Sequence, residues 1–294
     1  MTSADPVAWD GFVEAQDPGS YMQRTAWATI KAVNGWTAHQ IVAELGRPGD
    51  DRAAIGAQIL VRRPRPMPWG FAYAPRGPVA TTWDEAAIAA FTSAARSGLD
   101  RDAGRVSHLR IDPEIEADGR LDPDGAVIRA LRSAGWRPAQ PIQPNATRVI
   151  DLRADETALW GDLRKKWRQY VNKARAGGVT VVDAGGDRLG DFYRIYRETA
   201  DRAGFLIRTE AAYRDAWGAF SPSGHARLLF AQAADGEPLA TLFLIRCGPR
   251  VVELAVVSVA FGLVYAGVSA ALRIPELPSI VGVMVDVIRR PSRS

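Results

Sequence analysis

The chain is poor in the residues that most often carry covalent or metal chemistry. One cysteine, Cys247, and three histidines, His39, His108 and His225, stand among its 294 residues. An internal disulfide is therefore excluded, and no Cys/His cluster with recognisable metal-ligand spacing can be assembled. No Ser/His/Asp or Cys/His set suggests a nucleophile with its base, so no catalytic residue is assigned. So little cysteine fits a reducing cytoplasm. The opening stretch MTSADPVAWDGFVEAQ lacks a basic region followed by an apolar run, which predicts no signal peptide. Lysine is scarce too, and its distribution is uneven: of Lys31, Lys165, Lys166 and Lys173, three fall within nine residues.

What is present reads as globular. Apolar residues make up 47% and charged residues 24%, close to the soluble average, and the length allows two domains of ordinary size. The net charge of +4 permits a polyanionic partner without requiring one.

The stretch from Val149 to Val182 organises the rest. It reads as a strand, one basic helix over 155–176, a Gly177-Gly178 stop, and a strand. Asp155 stands where an N-cap belongs, and Glu156 and Asp162 complement the helix dipole. Leu159, Leu163, Trp167, Tyr170, Val171 and Ala174 recur at three- and four-residue spacing and form a core-facing stripe. The remaining surface carries Arg164, Lys165, Lys166, Arg168, Lys173 and Arg175. A charge run of this kind by itself favours a solvated face; the sharper reading is a platform for a polyanion such as a tRNA acceptor stem or a diphosphate.

Elsewhere helices and strands alternate. Helices are expected over Trp9 to Ala15, Ser20 to Val33, Thr82 to Gly98, Asp124 to Ala134, Asp191 to Ala203 and Thr209 to Phe220. Strands are expected over Trp36 to Glu44, Ala53 to Arg63, Phe71 to Tyr73 and His108 to Ile111, with a polar turn at Gly46 to Arg52. Ala226 to Ala233 and Leu239 to Arg246 read as a hairpin with a loop of two residues or slightly more, at Asp235-Gly236. The pattern is that of α/β (α+β) domains in which a mixed sheet is flanked by helices. GAQILVRR from Gly56 and LATLFLIR from Leu239 are alike, which hints that one fold occurs twice.

Beyond Glu253 the character changes. Leu254 to Leu272 is nineteen residues without a charge, long enough to be weighed as a membrane span with Arg273, Arg289 and Arg290 as its cytoplasmic flank. Its valines equally suit buried strands. The favoured expectation is a change of reading frame near codon 253, which makes 254–294 an apolar tail unrelated to what precedes it.

Several segments, in order over residues 7 to 250, resemble the FemABX aminoacyltransferases. They are Gln23-Arg24-Thr25-Ala26-Trp27 with Lys31, FAYAPRGPV from Phe71, Arg110-Ile111-Asp112-Pro113, and Gln143-Pro144-Asn145-Ala146-Thr147. The basic helix, FYRIYRETADRAGFLIR and Tyr213 continue the series. The resemblance implies two GNAT-like domains, 1–148 and 149–253, the second incomplete. It implies aminoacyl-tRNA-dependent addition of an amino acid to the stem peptide of a peptidoglycan precursor, in the cytoplasm or at the inner face of the membrane.

In that reading Lys31, Arg208 and Tyr213 bind a UDP-linked or lipid-linked muropeptide. Arg164, Lys165, Arg168 and Lys173 meet charged tRNA. No metal and no cofactor beyond the aminoacyl-tRNA co-substrate is implied. Two alternatives stay open: an acyl-CoA-dependent GNAT-type N-acyltransferase, and a catalytically inactive muropeptide-binding remnant. The first needs an Arg/Gln-x-x-Gly-x-Gly/Ala turn, which the strings Arg175 to Thr180 and Arg132 to Arg137 miss at the last position.

Overall fold

The computed structural model describes residues 5–45, 53–116, 119–144 and 151–258. The chain divides into two compact units, one comprising Met1–Asn145 with Arg246–Val251 and the other Ala146–Ile245 with Val252–Ser294.

The first unit begins with helices α1 (Pro6–Glu14) and α2 (Thr25–Ala32). The single helix expected over Ser20 to Val33 is broken: a 3-10 turn at Tyr21–Gln23 is followed by extended Arg24 (φ −80°, ψ 155°). The break is held from outside. Asp10 of α1 accepts the Thr25 backbone N–H and the Thr25 hydroxyl, both at 2.8 Å, and so caps α2. Asp10 and Glu14 also pair with the buried Arg24 guanidinium.

Strands β1 (Trp36–Leu45), β2 (Ala53–Arg62), β3 (Gly70–Ala74) and β5 (Val106–Ile111) form a sheet in that order, and β4 (Val79–Ala80) pairs with β2. β2 runs antiparallel to β1 and β3, whereas β3 and β5 are parallel. Its continuous apolar run follows from burial on both faces. Ile55, Ala57, Ile59 and Val61 join Phe91, Ala95 and Leu99 of helix α3 (Glu85–Asp102) in one core. On the other face Gly56 lies under Trp9 and Gln58 meets Gln23.

Helix α3 does not stop at Gly98 as expected. The glycine there lets Ile41 pack close instead: a Cβ would come within 2.8 Å of Ile41 Cδ1, and that side chain would have to shift. Helix α4 (Ala126–Ser133) follows β5. The expected turn at Gly46 to Arg52 lies outside the described residues.

In the second unit the expected basic helix is two helices, α5 (Glu156–Asp162) and α6 (Lys165–Ala176), separated by extended Leu163 and Arg164. Asp155 caps α5, accepting the Ala158 N–H at 2.9 Å. Arg168 explains the break: its Nη1 donates to the carbonyls of Gly161 at 2.7 Å, Leu163 at 2.5 Å and Trp160 at 3.3 Å. These carbonyls lie at the C-terminal end of α5, where helical N–H partners run out, and Trp160 O also accepts the Leu163 N–H at 3.3 Å. Helix α6 ends as the glycine pair predicts. Gly178 takes φ +76°, Val179 N–H bonds to Ala174 O and Gly178 N–H to Arg175 O, both at 3.1 Å.

The strand expected from Val149 is not formed where it is described: Asp151 to Ala154 is a turn, with Arg153 N–H on Asp151 Oδ1 at 3.0 Å. Residues 145–150 lie outside the described residues.

Strands β6 (Thr180–Ala184), β7 (Ala226–Gln232), β8 (Pro238–Cys247) and β9 (Arg250–Ser258) make the second sheet in sequence order. Trp167 of α6 packs on Leu229, Ala231, Ala240 and Leu242. Phe243, on the alternate side of β8, meets Phe192 and Trp217 from helices α7 (Leu189–Ala203) and α8 (Glu210–Phe220). The β7–β8 loop has five residues, 233–237, closed by Ala233 N–H on Glu237 O at 2.9 Å with Gly236 at φ +88°.

The chain is thus the expected α/β protein of sheets flanked by helices. The two similar strings fall on β2 and β8, each an interior strand of its sheet. The first residues of the expected membrane span, Leu254 to Ser258, continue β9. The rest of that span and of the tail lies outside the described residues. Among the described residues no helix is long and apolar enough to cross a membrane.

Candidate functional site

Residues from several motifs of the first unit meet at the C-terminal ends of the parallel strands β3 and β5, where open α/β sheets commonly present their ligand-binding groups. Tyr73, next to last in β3, donates its hydroxyl to Asp112 Oδ2 at 3.0 Å, just past the end of β5. Gln143 Nε2 donates to the same phenolic oxygen at 3.2 Å. Burial, partly offset by the Gln143 hydrogen bond and reinforced by the Asp112 charge, pushes the Tyr73 phenol up to about 12. Tyr73 is therefore a fixed donor at neutral pH.

The turn after β3 places a cation beside this pair. Arg76 has φ 52°, the one positive value among the described non-glycine residues. Such backbone strain costs on the order of 1 kcal/mol and must be held by its surroundings. Gln23 does part of that holding. Its Nε2 donates to Pro75 O at 2.7 Å, and its Oε1 accepts the Gln58 N–H at 2.7 Å. A Cβ on Gly77 would come within 2.6 Å of the Gln23 side chain, so only glycine fits against it. The Asp112 N–H then bonds to Gly77 O at 2.8 Å, tying the two strand ends together. Arg76 Nη2 reaches Pro144 O at 3.1 Å, and Glu114 pairs with Arg250 Nη1 at 2.5 Å.

Lys31 lies in the last turn of α2, with Nζ 4.5 Å from the centroid of the buried Trp27 ring. Arg208 and Tyr213 belong to the second unit. Tyr213 is 5% exposed, with Phe192 and Tyr196 at ring-centroid distances of 5.0 and 5.3 Å. Burial first, and then its hydrogen bond with Tyr196, raise its pKa, while the nearby Arg208 charge opposes the rise. Arg208 is exposed on the loop between α7 and α8. The second unit therefore brings Arg208 and Tyr213 into electrostatic reach of each other, and Lys31 stands in the first.

Of the four cations expected on the platform, Arg164, Lys165 and Lys173 are exposed on α6 or its first cap. Arg168 is engaged with the α5 carbonyls. Lys166 lies over Tyr170 and Arg175 over Trp160, at 5.6 and 5.5 Å from the ring centroids. Among the described residues no group of three or more His, Cys, Asp or Glu side chains is gathered for a metal.

The two strings nearest to a pyrophosphate-cradling turn sit at the C-terminal ends of α4 and α6. Such ends present carbonyls, whereas a pyrophosphate needs the amides of an N-terminus. Tyr73, Asp112 and Gln143 had no role assigned from sequence. Their signal was membership of the quoted motifs, but nothing in the string indicates that the three meet.

The FemAB family model matches residues 6–242. The Lipid II:glycine glycyltransferase of Staphylococcus saprophyticus subsp. saprophyticus is 27% identical over 230 residues, 75% of this chain and 53% of that protein. The enzyme of the same name from Staphylococcus aureus is 26% identical over 239 residues, 79% of this chain and 54% of that one. This chain spans about half the length of these relatives. The crystal structure of FemX superposes with a TM-score of 0.77 at 18% identity, covering 95% of this chain and 85% of that one. With a family match over most of its length and a shared fold, the chain belongs to the FemAB family.

Proposed function

We propose that this protein transfers an amino acid from aminoacyl-tRNA to the stem-peptide amine of a lipid-linked peptidoglycan precursor. The observation that carries the reading is the convergence of family motif residues on one built polar site, Tyr73–Asp112–Gln143 beside Arg76, at the ends of β3 and β5. The family match and relatives named for glycine transfer to lipid II support the acceptor class.

The chemistry needs no protein nucleophile, since the aminoacyl ester is already activated. The acceptor amine attacks the ester carbonyl, a C–N bond forms, and the ester C–O bond breaks. The tRNA ribose hydroxyl leaves with the proton that the amine gives up. Asp112, its carboxylate fixed by Tyr73, is suited to hold the acceptor's ammonium and accept a proton from it. Lys31 and Arg208 suit the acceptor's phosphates and carboxylates, with Tyr213 beside Arg208. The exposed Arg164, Lys165 and Lys173 suit the tRNA backbone, with Arg168 shaping the helix pair that carries them.

The test is transfer of radiolabelled glycine, alanine or serine from charged tRNA to lipid-linked and UDP-linked muropeptides. Label in the lipid-linked acceptor is expected. Retention of the precursor by folded protein with no transfer of any of the three would leave a binding protein and overturn the transferase reading.

A further inference from the structure

At the opposite end of the first sheet from Tyr73 and Asp112, the surface has a different character. The β2–β3 connection, Pro64 to Trp69, contains three prolines, which restrict its backbone. It holds Met67 and Trp69 outward, 48% and 45% exposed. The turn before β1 adds Val33, 71% exposed, directly ahead of Trp36 at the same end of the sheet. Register brings Trp36, Arg62 and Phe71 side by side there. Trp36 and Phe71 pack edge to face at 5.2 Å, and Arg62 lies over the Trp36 ring.

Cations ring these apolar tips. Arg62, Arg65 and Arg105 are exposed, and Arg63 gives one nitrogen to the Ala103 carbonyl at the end of α3. Among the described side chains in the last turn of α3, Asp100 is an exposed acid, against three exposed arginines at this end. Exposed apolar side chains held on a stiff loop within a cationic rim mark an interaction surface, not a solvated turn.

We propose that this end of the sheet, with Met67 and Trp69 at its tip, is a docking surface for an anionic lipid bilayer. Charge complementarity selects the occupant. Trp favours the bilayer interface, and arginines around it meet anionic headgroups. A single-stranded nucleic acid would also take Trp69 and the arginines, but Val33 and Met67 offer no flat face for a base to stack on, whereas an acyl boundary accepts all three tips. The inference does not rest on the transferase reading.

The test is sedimentation of the full-length protein with vesicles of phosphatidylglycerol and phosphatidylcholine in equal parts, and with phosphatidylcholine alone, neither containing any precursor. Binding to the anionic vesicles is expected, weakening as salt is raised. Met67→Ser with Trp69→Ser, and separately Arg65→Glu with Arg105→Glu, should each lower the partition coefficient roughly tenfold with an unchanged thermal melt.

Three results would overturn the proposal. One is no sedimentation of the wild type. Another is equal binding to both vesicle types that neither variant alters, which would locate bilayer contact elsewhere in the chain. The third is variants that spare vesicle binding but abolish retention of tRNA or dissociate a dimer, which would make the surface one for RNA or for a second copy. Transfer activity enters none of these readouts, so the two readings fail separately.

Discussion

Tyr73 Oη and Asp112 Oδ2 lie 3.0 Å apart across the parallel pair β3–β5, one residue before the end of the first strand and one after the end of the second. The bond fixes the orientation of a carboxylate at a strand end. Asp112→Asn should lower transfer by about 10²- to 10⁴-fold if it accepts the amine's proton. Tyr73→Phe keeps the ring and removes the donor, so a smaller loss in kcat is expected, with KM for tRNA unchanged. Steady-state kinetics of the two variants separates the roles.

The same phenol makes an alkaline prediction. Its pKa is raised from 10.0 to about 12 in the folded protein, so the folded state holds the proton more tightly. Its contribution is fully present below pH 10 and is lost as pH rises toward 12. Denaturation midpoints across that window should fall less steeply for Tyr73→Phe than for the wild type.

Gln23 is fully buried and satisfies Pro75 O and Gln58 N–H together. Gln23→Leu, close in size, leaves both backbone groups unpaired at a cost of about 2 to 4 kcal/mol. Urea unfolding measures it. Because Pro75 precedes the strained Arg76, transfer should fall as well under conditions where the variant is still folded.

Arg168 and Lys173 carry like charge on one helix and should behave oppositely. Arg168→Ala strips the cap from α5 and should cost about 1 to 2 kcal/mol of stability. Lys173→Ala should leave stability within about 0.5 kcal/mol. It should nevertheless weaken tRNA binding and reduce the slope of log K against log salt by about 0.7 to 0.9. Thermal melts and filter binding at several salt concentrations decide between them.

Glu253 on β9 is raised from 4.5 to about 7 by burial, and among the described residues its Oε2 has no hydrogen-bond partner. A carboxyl that holds its proton more tightly when folded stabilises the protein below pH 4.5 and loses that contribution as pH rises through about 7. Glu253→Gln should therefore melt higher than the wild type at pH 8 and show a flatter pH dependence between these values.

Much of the fold was legible because periodicity and punctuation agree. Strand β2 forms where a strand is expected, and Gly177-Gly178 ends α6 through the bonds that a left-handed glycine permits. Where the reading failed, a distant side chain overrode a local pattern. Asp10 cuts the helix at Arg24, Arg168 cuts the basic helix at Leu163, and Ile41 turns Gly98 from a stop into a packing position. The candidate site was legible only in part for the same reason. Tyr73, Asp112 and Gln143 each stand in a quoted motif, but they become a group only when two strands lie parallel and their ends meet.

The first unit includes Arg246–Val251, more than a hundred residues of chain beyond Asn145. Arg250 pairs there with Asp17 and Glu114, and Gly248 lies so close to the Glu14 carbonyl that a Cβ would overlap it. During synthesis the ribosome must therefore finish almost all of the second sheet before the N-terminal unit receives its last piece. The order of translation is not the order of completion: a nascent chain stalled after Asn145 should remain open to protease around α1, and closure should follow the emergence of Arg250.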